Sequence, residues 1–214
     1  MITVFGRATS SNVQVAMWTI GELGLEHERL DYGHVYGGVD TPEYLAMNPN
    51  GRVPTMRDGD LVMWESAAIL RYLAARYGDG VFWPADPVRR AALDMWAEWI
   101  KTTFAPAFAL GVFWPLIRTP KAQRDDAAMV AAIEQVKPLA GMMDRRIGEG
   151  PWLAGADFTF ADVMFGHLLY RYYTMPMDRA ATPALDAYYA RLQERPAFAM
   201  HSMVSYDPLR PKED

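Results

Sequence analysis

A change of pattern near residue 80 restricts the fold of this chain more than any other feature of its sequence. Before it, short apolar runs alternate with helical periodicity. "MITVFGR" (1–7) reads as a β-branched and aromatic strand. In "NVQVAMWTIGELGL" (12–25) apolar residues recur at a spacing of about 3.6, and Gly24 suits a helix stop. "HERLDYG" (27–33) predicts a second strand, and "TPEYLAMNP" (41–49) a short helix behind a threonine cap. "RVPTMRDGDLVMWE" (52–65) reads as a hairpin turning at Asp58-Gly59, and "SAAILRYLAARYG" (66–78) as an amphipathic helix. The order is β-α-β-α-β-β-α. "DGVFWPADP" (79–87) is a Pro- and Gly-rich linker, and helices are predicted beyond it over 88–113, 120–147, 160–174 and 183–194. The pattern predicts a small α/β domain over 1–80, a linker over 81–86 and an all-helical domain over 87–214.

Composition narrows the function classes. The chain has 214 residues, is 51% hydrophobic and has a mean hydropathy of -0.10, as an ordinary soluble protein does. No run approaches the roughly 18 apolar residues of a membrane span, and no basic region precedes an apolar stretch at the N-terminus. Neither a membrane nor a secretory route is expected, and the expected location is the cytoplasm. A net charge of -5 disfavours nucleic acid, because phosphate binding needs a basic patch. There are no cysteines. That removes disulfides, thiolate metal sites and a protein thiol nucleophile, and no metal is expected.

"NPNGRVPTM" (48–56) sets a puzzle, because it puts a proline directly before an apparent strand. Asn-Pro and Asn-Gly mark loops, so an ordinary trans turn is one reading. The wider pattern supplies another. "NPNGRVP" is followed ten residues later by "WESAAILRYLAARYG", and "GADFTFADV" lies in the helical part. Together, in this order, they resemble the signatures of the cytosolic glutathione S-transferases over nearly the whole chain. "RATSSNV" (7–13) and "RTPKAQRD" (118–125) are most similar to bacterial, theta- or nu-like members with a serine- or asparagine-type centre.

The resemblance implies an α/β thioredoxin-like N-terminal domain that binds glutathione, an all-α C-terminal domain and a homodimer. It implies a cis Val53–Pro54 bond that leaves the Val53 backbone free to pair with the cysteinyl backbone of glutathione, as an added strand would. Ser66, at a helix N-terminus, suits the γ-glutamyl carboxylate, and Glu65 suits the ammonium beside it. By residue type alone, this pair equally reads as an N-cap with an acid in the first turn. Arg52, where lysine is frequent in the family, suits the glycyl carboxylate. His34 lies near another glycyl contact of the family, although a lone loop histidine also reads as surface decoration.

The chemistry is expected at "TSSNV". A thiol with a pKa of about 8.5 is mostly protonated at neutral pH, and the thiolate is the nucleophile. Lowering that pKa by about two units takes roughly 2.7 kcal/mol, within reach of one charged hydrogen bond plus a helix dipole. Ser10 stands where serine-type members carry the catalytic hydroxyl, with Ser11 and Asn12 as rivals. All three also read as caps of the first helix.

For the electrophile, "FAPAFALGVFWPLIR" (104–118) offers Phe104, Phe108, Phe113 and Trp114 near a kink at Pro106 or Pro115, with Arg118 for an anionic group. Tyr170, Tyr172 and Tyr173 form a second aromatic cluster. Thr159 and Asp162 read as a capping box with a folding role. Conjugation of glutathione to small hydrophobic electrophiles is the expected activity. The alternatives are reduction, peroxide reduction or dehalogenation through two glutathiones, or a non-catalytic binding protein on the same fold.

Overall fold

A computed structural model describes residues 1–148 and 150–211; positions 212–214, the end of the expected helical domain, lie outside the described residues. Strands β1 (Ile2–Phe5), β2 (His27–Leu30), β3 (Thr55–Asp58) and β4 (Leu61–Trp64) form one mixed sheet in the order β2-β1-β3-β4. β1 and β2 are parallel, which requires a crossover, and α1 (Ser11–Glu22) supplies it. β1 and β3 are antiparallel, and β3 and β4 form the expected hairpin, with Gly59 at φ 58° in its two-residue loop. α2 (Pro42–Met47) starts behind Thr41, whose hydroxyl accepts from the Tyr44 amide, and α3 (Ser66–Tyr77) follows β4.

The helical part departs from its predicted boundaries in instructive ways. Its first helix, α4 (Pro87–Arg118), runs on through both prolines. The backbone widens into π-helical turns over Ile100–Phe104 and Ala109–Arg118; Pro115 lies in the second, where a missing amide is tolerated, and Pro106 lies in the short α-helical stretch between them. α5 (Asp126–Ile147) begins later than expected, because residues 121–123 form a separate turn and the Asp125 carboxylate caps the Ala128 amide. The predicted 160–174 helix is split into α6 (Phe160–Gly166) and α7 (Leu169–Thr174). α8 (Pro183–Gln193) is followed by α9 (Pro196–His201), a helix too short for a periodicity signal.

By length and composition α4 is apolar enough to cross a membrane, with a mean hydropathy of 1.4 in its best window, which the sequence reading missed. Its residues Leu93, Ala97, Ile100, Phe104, Phe108, Val112 and Ile117 are instead packed into the core.

Two apolar cores meet at α1. Val13, Ala16, Met17 and Ile20 pack with Ile2, Val4, Met56, Ile69 and Leu73 beneath the sheet. Val15 and Trp18, on the opposite face, join Ala67, Leu70 and Ala74 of α3 in the larger core of the helical part. α1 is thus buried on both faces, and residues from both sides of the linker share the larger core. Trp18 Nε1 donates to Glu22 Oε1 at 2.7 Å, and Arg195 grips both oxygens of Glu22 at 2.9 and 2.5 Å. The C-terminal end of α1 is thereby tied to the chain just before α9.

α6 carries the capping box that its sequence predicts. The buried Asp162 accepts from the Thr159 amide and hydroxyl, the Leu153 amide and the Tyr188 hydroxyl. At the α6–α7 break, His167 is buried and its Nδ1 lies 2.6 Å from the Met164 carbonyl, which accepts. Burial, reinforced by the neighbouring Arg171 cation, pushes its pKa down to about 4. An unfolded histidine takes its proton at about pH 6.5. The stability owed to neutral His167 is therefore complete above that pH and is lost as pH falls toward 4. A His167→Gln chain should lose stability less steeply in this window, by up to about 1.4 kcal/mol per pH unit. Urea unfolding of both chains between pH 4 and 7 checks this, and parallel slopes would refute it.

Candidate active site

The loop before β3 is built from buried polar groups. Asn48, 2% exposed, donates through Nδ2 to the Arg52 carbonyl at 2.8 Å and to Thr55 Oγ1 at 3.0 Å. Thr55 Oγ1 donates to the Tyr44 hydroxyl at 2.9 Å, which in turn donates to the Arg52 carbonyl at 2.8 Å. Gly51 adopts φ 58°, and a Cβ there would stand 3.2 Å from the Val39 carbonyl, so glycine is required. Val53–Pro54 is cis, as the resemblance implies. Among the described residues nothing pairs with the Val53 amide or carbonyl.

The N-terminal ends of α1 and α3 converge on this loop. Ser10 is the N-cap of α1, buried at 9% exposure, and its hydroxyl makes no capping bond. Ser11 opens the helix and does not cap it, contrary to one expected role. Asn12 Oδ1 accepts from Ser66 Oγ at 3.4 Å, linking the first turns of α1 and α3. Glu65 precedes α3 at φ 72°, a conformation a non-glycine residue holds at a cost of order 1–3 kcal/mol and one that clusters at functional sites. Its carboxylate pairs with Lys101 Nζ of α4 at 3.1 Å. His34 is the other non-glycine residue with positive φ among the described residues, at 57°.

These groups line one cleft in two lobes that share Asn12, Arg52 and Val53. The outer lobe, about 540 Å³, also takes in Asn50, Pro54, Trp64, Glu65 and Ser66. The inner lobe, about 410 Å³, is bounded by Ser10, Ser11, His34, Phe113, Trp114 and three arginines, Arg7, Arg118 and Arg171. Every expected thiolate and glutathione residue therefore borders the cleft. Of the expected pocket residues, Phe113, Trp114 and Arg118 do so, and Phe108 does not. Phe108 is fully buried, stacked on Phe104 at 5.8 Å and edge-on to Tyr172. The tyrosine cluster also lies away from the cleft, with Tyr173 stacked on Tyr189 at 4.5 Å. In both cases aromatic spacing reports core.

Sequence reasoning missed Arg171, whose signal was an arginine set among buried aromatics of α7. Its Nη2 donates to the Thr9 carbonyl at 2.8 Å, beside Ser10. It missed Lys101 altogether, since nothing local links that residue to Glu65. Partial desolvation, with Arg7 and Arg118 adding to it, lowers the pKa of His34.

Comparison with known proteins places this geometry. The family model described as the glutathione S-transferase N-terminal domain matches residues 1–75, and that of the C-terminal domain matches 121–191. The chain belongs to the glutathione S-transferase family. It is 37% identical over 206 residues to glutathione S-transferase GstB of Escherichia coli, covering 95% of this chain and 99% of that protein. It is 31% identical to glutathione S-transferase 3 of Zea mays, covering 98% and 96%. The theta-class glutathione S-transferase of Xanthomonas axonopodis pv. citri, solved with glutathione bound, superposes with a TM-score of 0.90 at 43% identity, covering 95% and 98%. Both the α/β and the helical parts are those of this family's fold.

The polar network under the loop is open to a direct test. Asn48→Ala should destabilise the chain by about 2 kcal/mol, since two donors and an acceptor leave together. Tyr44→Phe should cost about 1 kcal/mol, because Asn48 still holds the Arg52 carbonyl. Urea midpoints measure both, and losses within roughly 0.5 kcal/mol would show that the loop is held by other contacts.

Proposed function

We propose that this chain conjugates glutathione to small electrophiles, with Ser10 holding the glutathione sulfur as thiolate. The observation that carries the reading is the Ser10 hydroxyl, which borders the cleft at the head of α1 without a capping bond. It is free to donate to a sulfur anion, and the positive end of a 12-residue helix lies behind it. Asn12 is the weaker candidate, because its oxygen is already engaged by Ser66.

The outer lobe suits the peptide. Val53 offers an unpaired amide and carbonyl, as an edge strand does. Ser66 and the first amides of α3 suit the γ-glutamyl carboxylate, and Glu65 the ammonium. Arg52, exposed at the cleft and without an ion pair among the described residues, suits the glycyl carboxylate. Trp114 and Arg118 would face the electrophile, with Phe113 buried behind Arg171 in the same wall. A homodimer in the cytoplasm completes the reading, and sedimentation tests the dimer.

The catalytic assignment predicts a pH signature. Ser10→Ala should raise the pKa of the bound thiol, so that kcat falls tenfold or more at about pH 6.5 and recovers at high pH. Its affinity for glutathione should change little, because the hydroxyl acts on the sulfur. Thiolate absorbance of the complex, titrated in Ser10→Ala, Ser11→Ala and Asn12→Ala, measures this directly. If only Asn12→Ala moves the titration, asparagine is the donor; if none does, backbone amides hold the thiolate.

A further inference from the structure

The inner lobe holds more positive charge than a pocket for neutral electrophiles requires. Arg7 comes from the loop after β1, Arg118 from the end of α4 and Arg171 from α7, and all three border the same cavity. Among the described residues, no carboxylate pairs with any of them. Some cations elsewhere are paired, Arg71 with Asp94 and Glu98, Arg89 with Asp157, Lys137 with Glu134 and Asp178, Arg195 with Glu22. Others, such as Arg52 and Arg57, have no carboxylate partner among the described residues. What sets the trio apart is that all three border one cavity and Arg171 is buried. Acids outnumber bases by 26 to 21, so the trio is not left unpaired for want of carboxylates.

Burial sharpens the point. Arg171 is 5% exposed, and its Nε is buried without a partner; the Nε of Arg7 is in the same state. Arg171 instead meets one neutral carbonyl, of Thr9, and the ring of Phe113 at 4.5 Å. Arg118 lies over Trp114 at 4.6 Å. A buried cation left without a counter-charge costs several kcal/mol. The three also repel one another. Burial first, then Arg7 and Arg118, bring the pKa of Arg171 down to about 10, and burial with Arg118 lowers that of Arg7. An incoming anion relieves each of these penalties at once.

We propose that the inner lobe is an oxoanion site, and that the electrophile carries a carboxylate or similar anion, held by Arg7, Arg118 and Arg171, close to its reacting carbon. This rests on the conjugation reading and adds the substrate class. In the reaction the thiolate sulfur forms a bond to the carbon as the carbon–halogen bond breaks. Halide leaves with the bonding pair, and the thiol proton has already gone to solvent. The guanidinium groups orient the acid and offset its repulsion of the thiolate.

The test uses matched acids and amides with one reacting centre: iodoacetate against iodoacetamide, and 4-chloro-3-nitrobenzoate against its amide. Each kcat/KM is divided by the rate of free glutathione thiolate with the same compound. The acid should be favoured over the amide in at least one pair. Arg118→Gln and Arg7→Gln should each cut that preference ten- to a hundredfold, the loss of a charge-assisted hydrogen bond, and Arg118→Lys should keep part of it. Glutathione affinity, measured by calorimetry in the same variants, should hold. Equal use of acid and amide by the unaltered chain overturns the proposal while leaving conjugation standing. A loss of glutathione affinity in the arginine variants, with the acid-to-amide ratio intact, assigns the trio to the glycyl carboxylate and also overturns it. A rate second-order in glutathione without preference for acids assigns the site to a second glutathione and overturns it as well. Failure of the conjugation reading looks different: no glutathione is consumed with any of the four compounds.

Discussion

Helix α1 is buried along eight consecutive residues, Val13–Ile20, because it lies between two apolar layers that both need it. One face closes the sheet core against Ile2, Val4 and Met56; the other carries Trp18 and Val15 into the helical core. A helix held on both faces cannot slide or rotate without opening one of the layers, since close-packed interiors leave no room for small adjustments. Its far end is clamped through Glu22 by Arg195, and its near end receives Arg171 at the Thr9 carbonyl. The position of Ser10 is thus set by packing that spans the whole chain, and the hydroxyl need not spend itself on capping to stay in place.

The loop opposite is fixed by different means. It has no regular structure, so the Asn48, Thr55 and Tyr44 side chains supply what a ladder of backbone bonds would. The network converges on the Arg52 carbonyl, one residue before Val53. The backbone of Val53 is therefore rigid and yet unpaired. Such a group accepts a ligand with little further loss of conformational entropy. The two walls of the cleft, one set by apolar packing and one by a buried polar network, are both preorganised.

Much of this was legible in the sequence, and the remainder has physical reasons for being hidden. Strand and helix order followed from periodicity, and Ser10, Ser11 and Asn12, "RVP" and "ES" fall together at the cleft because each ends or begins an element. Phe108 was misread because helical spacing of aromatics says which residues share a face and nothing of what that face meets; here it meets Phe104 and Tyr172. That Val15, Trp18, Ala67, Leu70 and Ala74 pack into the core of the helical part was not legible, because a linker in sequence does not say which side chains meet across it. The Glu65–Lys101 pair and the arginine trio join residues from distant elements, and no local pattern encodes such a meeting.

The aromatic residues of the inner lobe gain a different meaning once the arginines are in view. Phe113 and Trp114 would ordinarily mark an apolar pocket. Here each ring already carries a guanidinium, Arg171 over Phe113 and Arg118 over Trp114. A cation–π contact contributes about 0.5–2 kcal/mol, enough to orient a guanidinium and too little to offset the burial of its charge. The rings therefore hold the cations in position without neutralising them. Phe113 is itself 1% exposed, so it has almost no free surface with which to receive an apolar group, whereas Trp114 is 47% exposed. The wall beside Ser10 is in effect a set of stacked, undercompensated cations with one accessible aromatic edge. That combination favours a small substrate whose charge and apolar body lie close together.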